Sequence, residues 1–463
     1  MRNQSVLAWS KLACVLCGAL LLTACGGGGG TTAPSTGLAC TATTAGDLTV
    51  SFTGVPAGKT ATVKVFDNTG ALATTLTSTA ATASGLAAGA YTLKAEPLTG
   101  AAEPVVRTAY TATPSPDAVC VGGGVAQTAT AAYAVIPTSN KLWLGISNPN
   151  SVTPKATQGA FSAASLPNTT TSSAINATVS ALTKGWKGNA FDKYGNLWVL
   201  GGTTSDPWVA RYTAGDFATS GSMTADLTIP WLGGSSFGNA ADSMAFDPSG
   251  NLWVTNISRS TVYRFAATAD GSVATSPGVT ISGVDGARNI AFDASGNLWL
   301  TSAASPGAAF PALLRYNQSR LSADITTAAD LIYRQTWSAS SFDYTPTYLA
   351  FDAAGNLWVG CSAQGEILRV ATPDLTASGT VTVTGAPLTD PATGNAYWFS
   401  SLKGLAFDDS GLLWVSRGFD RMQAYSTTAR LLVREFTSTQ LSGSLTPAFY
   451  PAAPGLPLYH SLP

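Results

Sequence analysis

From residue 38 to residue 122 the apolar positions alternate with polar ones at a period of two. Leu48-Thr-Val-Ser-Phe-Thr, Ala61-Thr-Val-Lys-Val-Phe and Ala90-Tyr-Thr-Leu-Lys-Ala are three such runs, and Gly58-Lys59, Asp67-Asn68-Thr69-Gly70 and Gly85 to Gly89 turn the chain between them. Short alternating strands with a turn about every 10 residues predict two sheets packed face to face. Beyond residue 123 the pattern changes. A strand ending in Ala-Phe is followed by a polar turn and then by a continuous apolar run, Leu-Trp-Val or Leu-Trp-Leu, as a strand buried on both faces requires.

That second pattern repeats. Ala190-Phe191-Asp192-Lys193-Tyr194-Gly195-Asn196-Leu197-Trp198 recurs as Ala245 to Trp253, Ala291 to Trp299, Ala350 to Trp358 and Ala406 to Trp414. A degenerate copy, Ala134 to Trp143, precedes them, and the six Trp residues stand 46 to 59 residues apart. Strand-rich repeats of this length predict propeller blades. The expectation is an all-β chain: a sandwich at 38–122 and a six-bladed propeller at 123–463, closed by joining the Ala126–Ile136 segment to strands of the last repeat. In each copy the Asp caps the turn and the Gly three residues on takes a positive φ. Asp192, Asp247, Asp293, Asp352 and Asp408 therefore read as turn caps and not as a ring of catalytic or calcium-binding carboxylates. Arg211, Arg264, Arg315 and Arg369 recur on the next strand, where blade-to-blade pairing is the expected role.

The N-terminus carries an address. Arg2 and Lys11 supply positive charge, and Leu12 to Leu22 is too short an apolar run to span a bilayer. It ends in Leu22-Thr23-Ala24-Cys25, which resembles the bacterial lipobox. The resemblance implies a signal peptide at 1–24 and a lipid bilayer as partner through acylated Cys25. Gly26, and not Asp, follows the Cys, which by the same resemblance implies the outer membrane or cell surface. Residues 25–37, with five consecutive glycines after Cys25, form a flexible tether. An exported chain meets an oxidising compartment, so Cys40 and Cys120, which bracket the sandwich, form the candidate disulfide. Cys361 is left over as a small buried apolar residue.

The sandwich, with Gly85-Leu86-Ala87-Ala88-Gly89-Ala90-Tyr91-Thr92-Leu93, is similar to bacterial Ig-like and fibronectin-like spacer modules. The repeat resembles the NHL group of six-bladed propellers, whose architecture streptogramin-lyase-like and gluconolactonase-like proteins share. The lyases of that group depend on an active-site His, and the gluconolactonase-like enzymes on a metal held by Glu, Asn and Asp. Here the only His in the chain is His460, and no metal ligand matches residue by residue.

Composition narrows function further. Charged residues are 11% of the chain and nearly cancel, 24 basic against 25 acidic, so no basic face exists for nucleic acid. Gly234-Ser235-Ser236-Phe237-Gly238 fits a nucleophile-elbow string without its strand–turn–helix context. No catalytic residue, metal or cofactor is assigned. What varies between the blades is the strand end opposite the Asp turn. Asp242, Arg288, Asn289, Tyr348 and Lys403 enter the inner strands there, and Asn256 and Arg417 stand three residues after their Trp. These seven are the candidate ligand-binding residues. The expected function is a non-catalytic binding module for a protein or glycan, with a propeller enzyme lacking the usual His and a passive envelope protein as the alternatives.

Overall fold

The computed structural model describes residues 38–458 except 104, 148–155, 164–165, 167–176, 183–185, 204–205, 220–222, 231–242, 269–270, 303–311, 336–345, 362–364, 384–385, 400–401, 418–420, 438–446 and 457. Among these residues the regular structure is strand, with a few short 3₁₀ turns. Among the described residues no helix is long and apolar enough to cross a membrane.

The N-terminal unit has two four-stranded sheets. One is ordered Thr82–Leu86, Gly46–Thr53, Gln127–Ala132, Pro114–Ser115, and the other Leu72–Thr77, Thr62–Phe66, Gly89–Ala95, Ala118–Val121. Their alternating apolar positions meet in one core, where Leu48, Val50, Val63, Val65 and Leu93 are buried. Cys40 and Cys120 are disulfide-bonded, with Cα atoms 5.3 Å apart.

Five propeller blades follow the repeat directly. Blade one comprises Trp186–Phe191, Leu197–Thr203, Asp206–Tyr212 and Leu227–Pro230, from the innermost strand outwards. Blade two comprises Met244–Phe246, Leu252–Asn256, Thr261–Phe265 and Val279–Ser282, and blade three Ile290–Phe292, Leu298–Ser302, Ala312–Tyr316 and Leu331–Gln335. Blade four comprises Pro346–Phe351, Leu357–Cys361, Glu366–Val370 and Ala386–Pro387, and blade five Leu402–Phe407, Leu412–Arg417, Arg421–Ser426 and Leu431–Thr437. Blade three gains a fifth, parallel strand, Gly379–Val383, from the connector of blade four.

Blade six corrects the expected closure. Its inner strand is the C-terminal Pro447–Tyr450, paired with Lys141–Ser147, and Ala156–Ser162 and Ala177–Leu182 lie outside them. The Ala126–Ile136 segment does not join the ring. Gln127–Ala132 runs parallel to Gly46–Thr53 in the N-terminal unit, where Ala129 and Ala131 fill its core, and Ala134–Val135 pairs with Ala109–Thr111. The physical reason is visible at the C-terminus. Ala448-Phe449 is a sixth Ala-Phe pair, whereas Val135 at the degenerate copy is 53% exposed.

The ring is locked by aromatic contacts between neighbouring blades. Trp143, Trp198, Trp253, Trp299, Trp358 and Trp414 each meet a Phe of the following blade, namely Phe191, Phe246, Phe292, Phe351, Phe407 and Phe449, at centroid distances of 5.6 to 6.2 Å. Tilted and edge-on geometries at this separation are the favourable ones. Each Asp cap then holds its Trp. In blade two, Asp247 Oδ1 accepts from the backbone N–H groups of Ser249 and Asn251, and Oδ2 accepts from Asn251 Nδ2 and Trp253 Nε1, all at 2.8–2.9 Å. The other four Asp residues do the same for their own Trp. The recurrent Arg residues reach across as well: Arg264 donates to Leu321 O of blade three, and Arg315 to Leu375 O and Ala377 O of blade four. Arg211 instead pairs with Asp226 of its own blade.

The N-terminal unit is joined firmly to the hairpin face of this ring. Val105 and Val106 are buried with Trp414, Met422 and Phe449 between blades five and six. Asp409 N–H donates to Val105 O, and its carboxylate lies 3.0 Å from Arg107 Nε. Lys193 of the blade-one hairpin pairs with Glu96 at 2.9 Å.

Candidate functional site

The six Ala-Phe strands surround the propeller axis. Each Phe turns into the gap between blades, so the preceding Ala faces the channel, and Ala190, Ala245, Ala291, Ala350, Ala406 and Ala448 all line it. Small side chains here leave a cavity of about 160 Å³. Its walls also include Met244, Ile290, Leu349 and Leu405, with Asn189, Ser243 and Asn289 as the polar groups. The chain's own end closes the hairpin side. After Tyr450 it crosses the ring so that Ala452, Leu456 and Leu458 line the cavity, and Gly455 lies against Ala353 of the blade-four hairpin.

Two polar groups of the wall, Ser243 and Asn289, are tied down. Asn289 Nδ2 donates to Ser243 Oγ at 3.1 Å and its Oδ1 accepts from Leu349 N–H at 2.9 Å. One amide thus bridges blades two, three and four. Thr255 Oγ1 accepts from Ser243 N–H, and Thr301 Oγ1 from Asn289 N–H, both at 3.0 Å. These bonds fix the strand ends that shape the wall.

Of the six candidate residues that lie among the described residues, Asn289 lines the cavity. Arg288, just before the inner strand, is exposed. Tyr348 and Lys403 are half-buried, Tyr348 against the apolar cluster between blades four and five. Asn256 is fully buried, and its Oδ1 accepts from Arg259 N–H, which caps a short 3₁₀ turn. Arg417 donates to Gln423 Oε1 at 3.2 Å. Asp242, Cys25 and the Gly234–Gly238 string lie outside the described residues. The structure therefore gathers apolar residues at the axis and distributes the charged candidates around it.

The titratable groups are elsewhere. Burial pushes the carboxyls of Asp192 and Asp408 above their ordinary value, against the hydrogen bonds from Trp198 and Trp414. Asp409 is pushed up to about 6, mainly by burial, with Arg107 pulling the other way. Cys361 is buried in blade four and its thiol is pushed well up by that burial. Among the described residues no three His, Cys, Asp or Glu side chains come together as a metal site would need. The Ala lining was present in the repeat itself. What hid it is that Ala beside Phe reads as ordinary strand filler until the strands are placed around an axis.

No protein-family model matches the chain, and no curated protein matches it. Solved structures do resemble it. Virginiamycin B lyase from Staphylococcus aureus is 14% identical with a TM-score of 0.35, over 55% of this chain and 70% of that one. A nidogen/laminin complex is 14% identical with a TM-score of 0.40, over 66% and 97%. A protein from Lactobacillus plantarum is 13% identical with a TM-score of 0.40, over 64% and 82%. The propeller assignment stands on the six sheets of this chain.

Proposed function

We propose that this chain is an outer-membrane or surface lipoprotein, anchored through acylated Cys25, whose propeller is a non-catalytic binding module for a protein ligand. The observation that carries the reading is the channel wall. Six Ala residues and a set of Leu, Ile, Met and Phe side chains suit an apolar side chain of a partner, whereas a sugar needs convergent hydrogen-bonding groups. Asn189, Ser243 and Asn289 stand on three adjacent blades, where they would orient the backbone of such a ligand.

Two experiments test it. The detergent-extracted full chain is applied to peptide and glycan arrays beside Ala291→Leu, which fills the channel. Peptides with an exposed aromatic or branched anchor should bind, and the variant should lose them at least tenfold. Glycan binding that survives the variant contradicts the proposal. For the anchor, Cys25→Ala should release the chain in soluble form, because two or three acyl chains hold a protein stably and the Gly/Thr tether adds nothing. A variant that stays with the membrane fraction contradicts it.

A further inference from the structure

The polar groups of the channel wall stand on one side of it. Asn189, Ser243 and Asn289 belong to blades one, two and three, whereas blades four, five and six present Leu349, Leu405 and Pro447. Ser243 and Asn289 lie two residues before the channel-facing Ala of their blades, a spacing that keeps both side chains on the Ala face. At the same position blade four has Tyr348, which packs into the cluster between blades four and five, and blades one and five have Gly188 and Gly404. Blades two and three therefore supply the polar side chains at this level of the axis.

The hydrogen bonds here fix which atoms face each other and leave two protons over. Leu349 N–H can only donate, so Asn289 turns Oδ1 toward blade four and Nδ2 toward Ser243. Ser243 Oγ accepts that bond, and its own proton has no acceptor among the described residues. The same holds for the second hydrogen of Asn289 Nδ2. The neighbouring backbone groups are engaged already, since Thr255 Oγ1 accepts from Ser243 N–H and lies 3.2 Å from both Ser243 O and Arg288 O. Both residues are more than nine-tenths buried, with exposures of 8% and 9%. Buried donors left over at a cavity wall call for an acceptor, and the cavity is where one can stand.

The rest of the wall sets the other requirements. No described residue that lines the cavity is charged, and Arg288 is exposed and does not line it. An ion in the channel would be buried without a counter-charge, which is costly. The two donors also stand at the outer end of the space. Ser243 is about 7 Å along the strand from Ala245, and on the hairpin side of the Ala level Leu456 of the chain's own end forms an apolar floor.

We propose that the channel takes an uncharged apolar group carrying a carbonyl at its outer end, and that the Ser243 hydroxyl and the Asn289 Nδ2–H hold the carbonyl oxygen. Such an oxygen has two lone pairs and accepts from both. In a protein ligand the group is a branched or aromatic side chain together with the backbone carbonyl of the same residue. Given the channel as a ligand site, on which this rests, Ser243 and Asn289 are the residues that choose among apolar ligands. The Ala and Leu wall alone makes no such choice, because an apolar pocket discriminates weakly between groups of one shape.

The test sets acetophenone beside α-methylstyrene, the same shape with CH₂ in place of the oxygen, and beside benzoate, in which a carboxylate replaces the acetyl group. Each is titrated into the full chain in detergent, into Ser243→Ala and into Ser243→Cys, and followed by the NMR signals of the channel residues. Ser243→Ala should weaken acetophenone about fivefold, the scale of one neutral hydrogen bond, and leave α-methylstyrene within about twofold. Ser243→Cys keeps the shape with a weaker donor and should fall between, and it decides the matter if the Ala variant binds neither probe. Benzoate should not bind. Equal losses for ketone and alkene, no loss of the ketone, or benzoate binding as tightly as acetophenone overturns the proposal, while the channel remains an apolar receptor so long as the alkene binds. An alkene that fails to bind the parent chain overturns the channel reading itself and this proposal with it. N-Acetyl-leucinamide should follow acetophenone. If it does not bind while acetophenone does, the carbonyl site stands and the protein ligand does not.

Discussion

Five of the six blade hairpins hold their indole on a carboxylate, and the sixth holds it on a backbone carbonyl. In blade two Trp253 Nε1 donates to Asp247 Oδ2, whereas in blade six Trp143 Nε1 donates to Thr138 O at 2.8 Å. Asn140 replaces the Gly of the turn and takes the same backbone region, φ 56° against 85° for Gly250. Asn is the side-chain-bearing residue that enters this region most readily. The two solutions end at the same place, with the Trp ring edge-on to a Phe of the next blade. The comparison separates what the propeller needs, a fixed indole between blades, from one means of fixing it. It also explains why five identical carboxylates mark no catalytic site.

Removing the shared element should cost most. Trp253→Ala should lower unfolding free energy by about 3–5 kcal/mol, the range for a buried aromatic, with no blade-specific compensation. Removing the means should cost less and only where it is used. Asp247→Ala strands four donors and should cost about 2–4 kcal/mol, whereas Pro137→Asp, which offers blade six the carboxylate it lacks, should change stability by less than about 0.5 kcal/mol. Chemical denaturation of the three variants checks both. If Pro137→Asp stabilises by as much as Asp247→Ala destabilises, the sixth hairpin is a defect and not an alternative.

The turn residues sharpen the comparison further. Gly411 has φ 78° and open space where a Cβ would stand, so Gly411→Ala reports backbone strain alone, about 1–2 kcal/mol. Asn140→Gly eases the backbone but removes the 2.9 Å bond from Asn140 Nδ2 to Glu103 Oε2, so it should cost about 1 kcal/mol through that lost contact. Thermal midpoints of the pair distinguish strain from contact.

The smallest effect is one of pH. The carboxyl of Asp409 is raised in the folded chain to about 6 from an ordinary 3.8. The native state therefore binds more protons than the unfolded one between these values, so the stability contributed is present below about pH 4 and is lost as pH rises through 6. Asp409→Asn should flatten the stability profile across that window while leaving its shape above pH 7 unchanged. A profile that rises from pH 4 to 6 in the parent and not in the variant contradicts the assignment.

Much of the fold was legible because its repeat is a physical unit. Ala-Phe-Asp-x-x-Gly-Asn-Leu-Trp contains the channel-facing Ala, the Phe and Trp of the blade gap, the turn and its cap, so five copies announced the ring. The sixth was hidden because it is split. Lys141–Ser147 brings the Trp and Pro447–Tyr450 the Ala-Phe, some 300 residues apart. Ala126–Ile136 looked like the missing strand because Thr-Ala-Thr-Ala-Ala suits any sheet, and only the shape of the N-terminal core decides for parallel pairing there. Val105-Val106, in a stretch without strand periodicity, gave no sign that it would seat the N-terminal unit between two blades. The candidate site was harder still. Sequence marks where charge varies, and so pointed to Arg288 and Lys403. The axis instead selects for what is constant and small.

The central claim, that the axis is an apolar receptor, is tested most directly by titrating toluene into the full chain in detergent and into Ala291→Leu, observed by the methyl and aromatic NMR signals of the channel. An apolar space near 150 Å³ takes a ring of this size, and the cavity here is about 160 Å³. The parent should show saturable shifts confined to channel residues such as Ala245, Ile290 and Phe292, and the variant none. Equal shifts in both chains, or shifts in the parent that appear with a divalent cation or a methyl glycoside and not with toluene, would contradict the account.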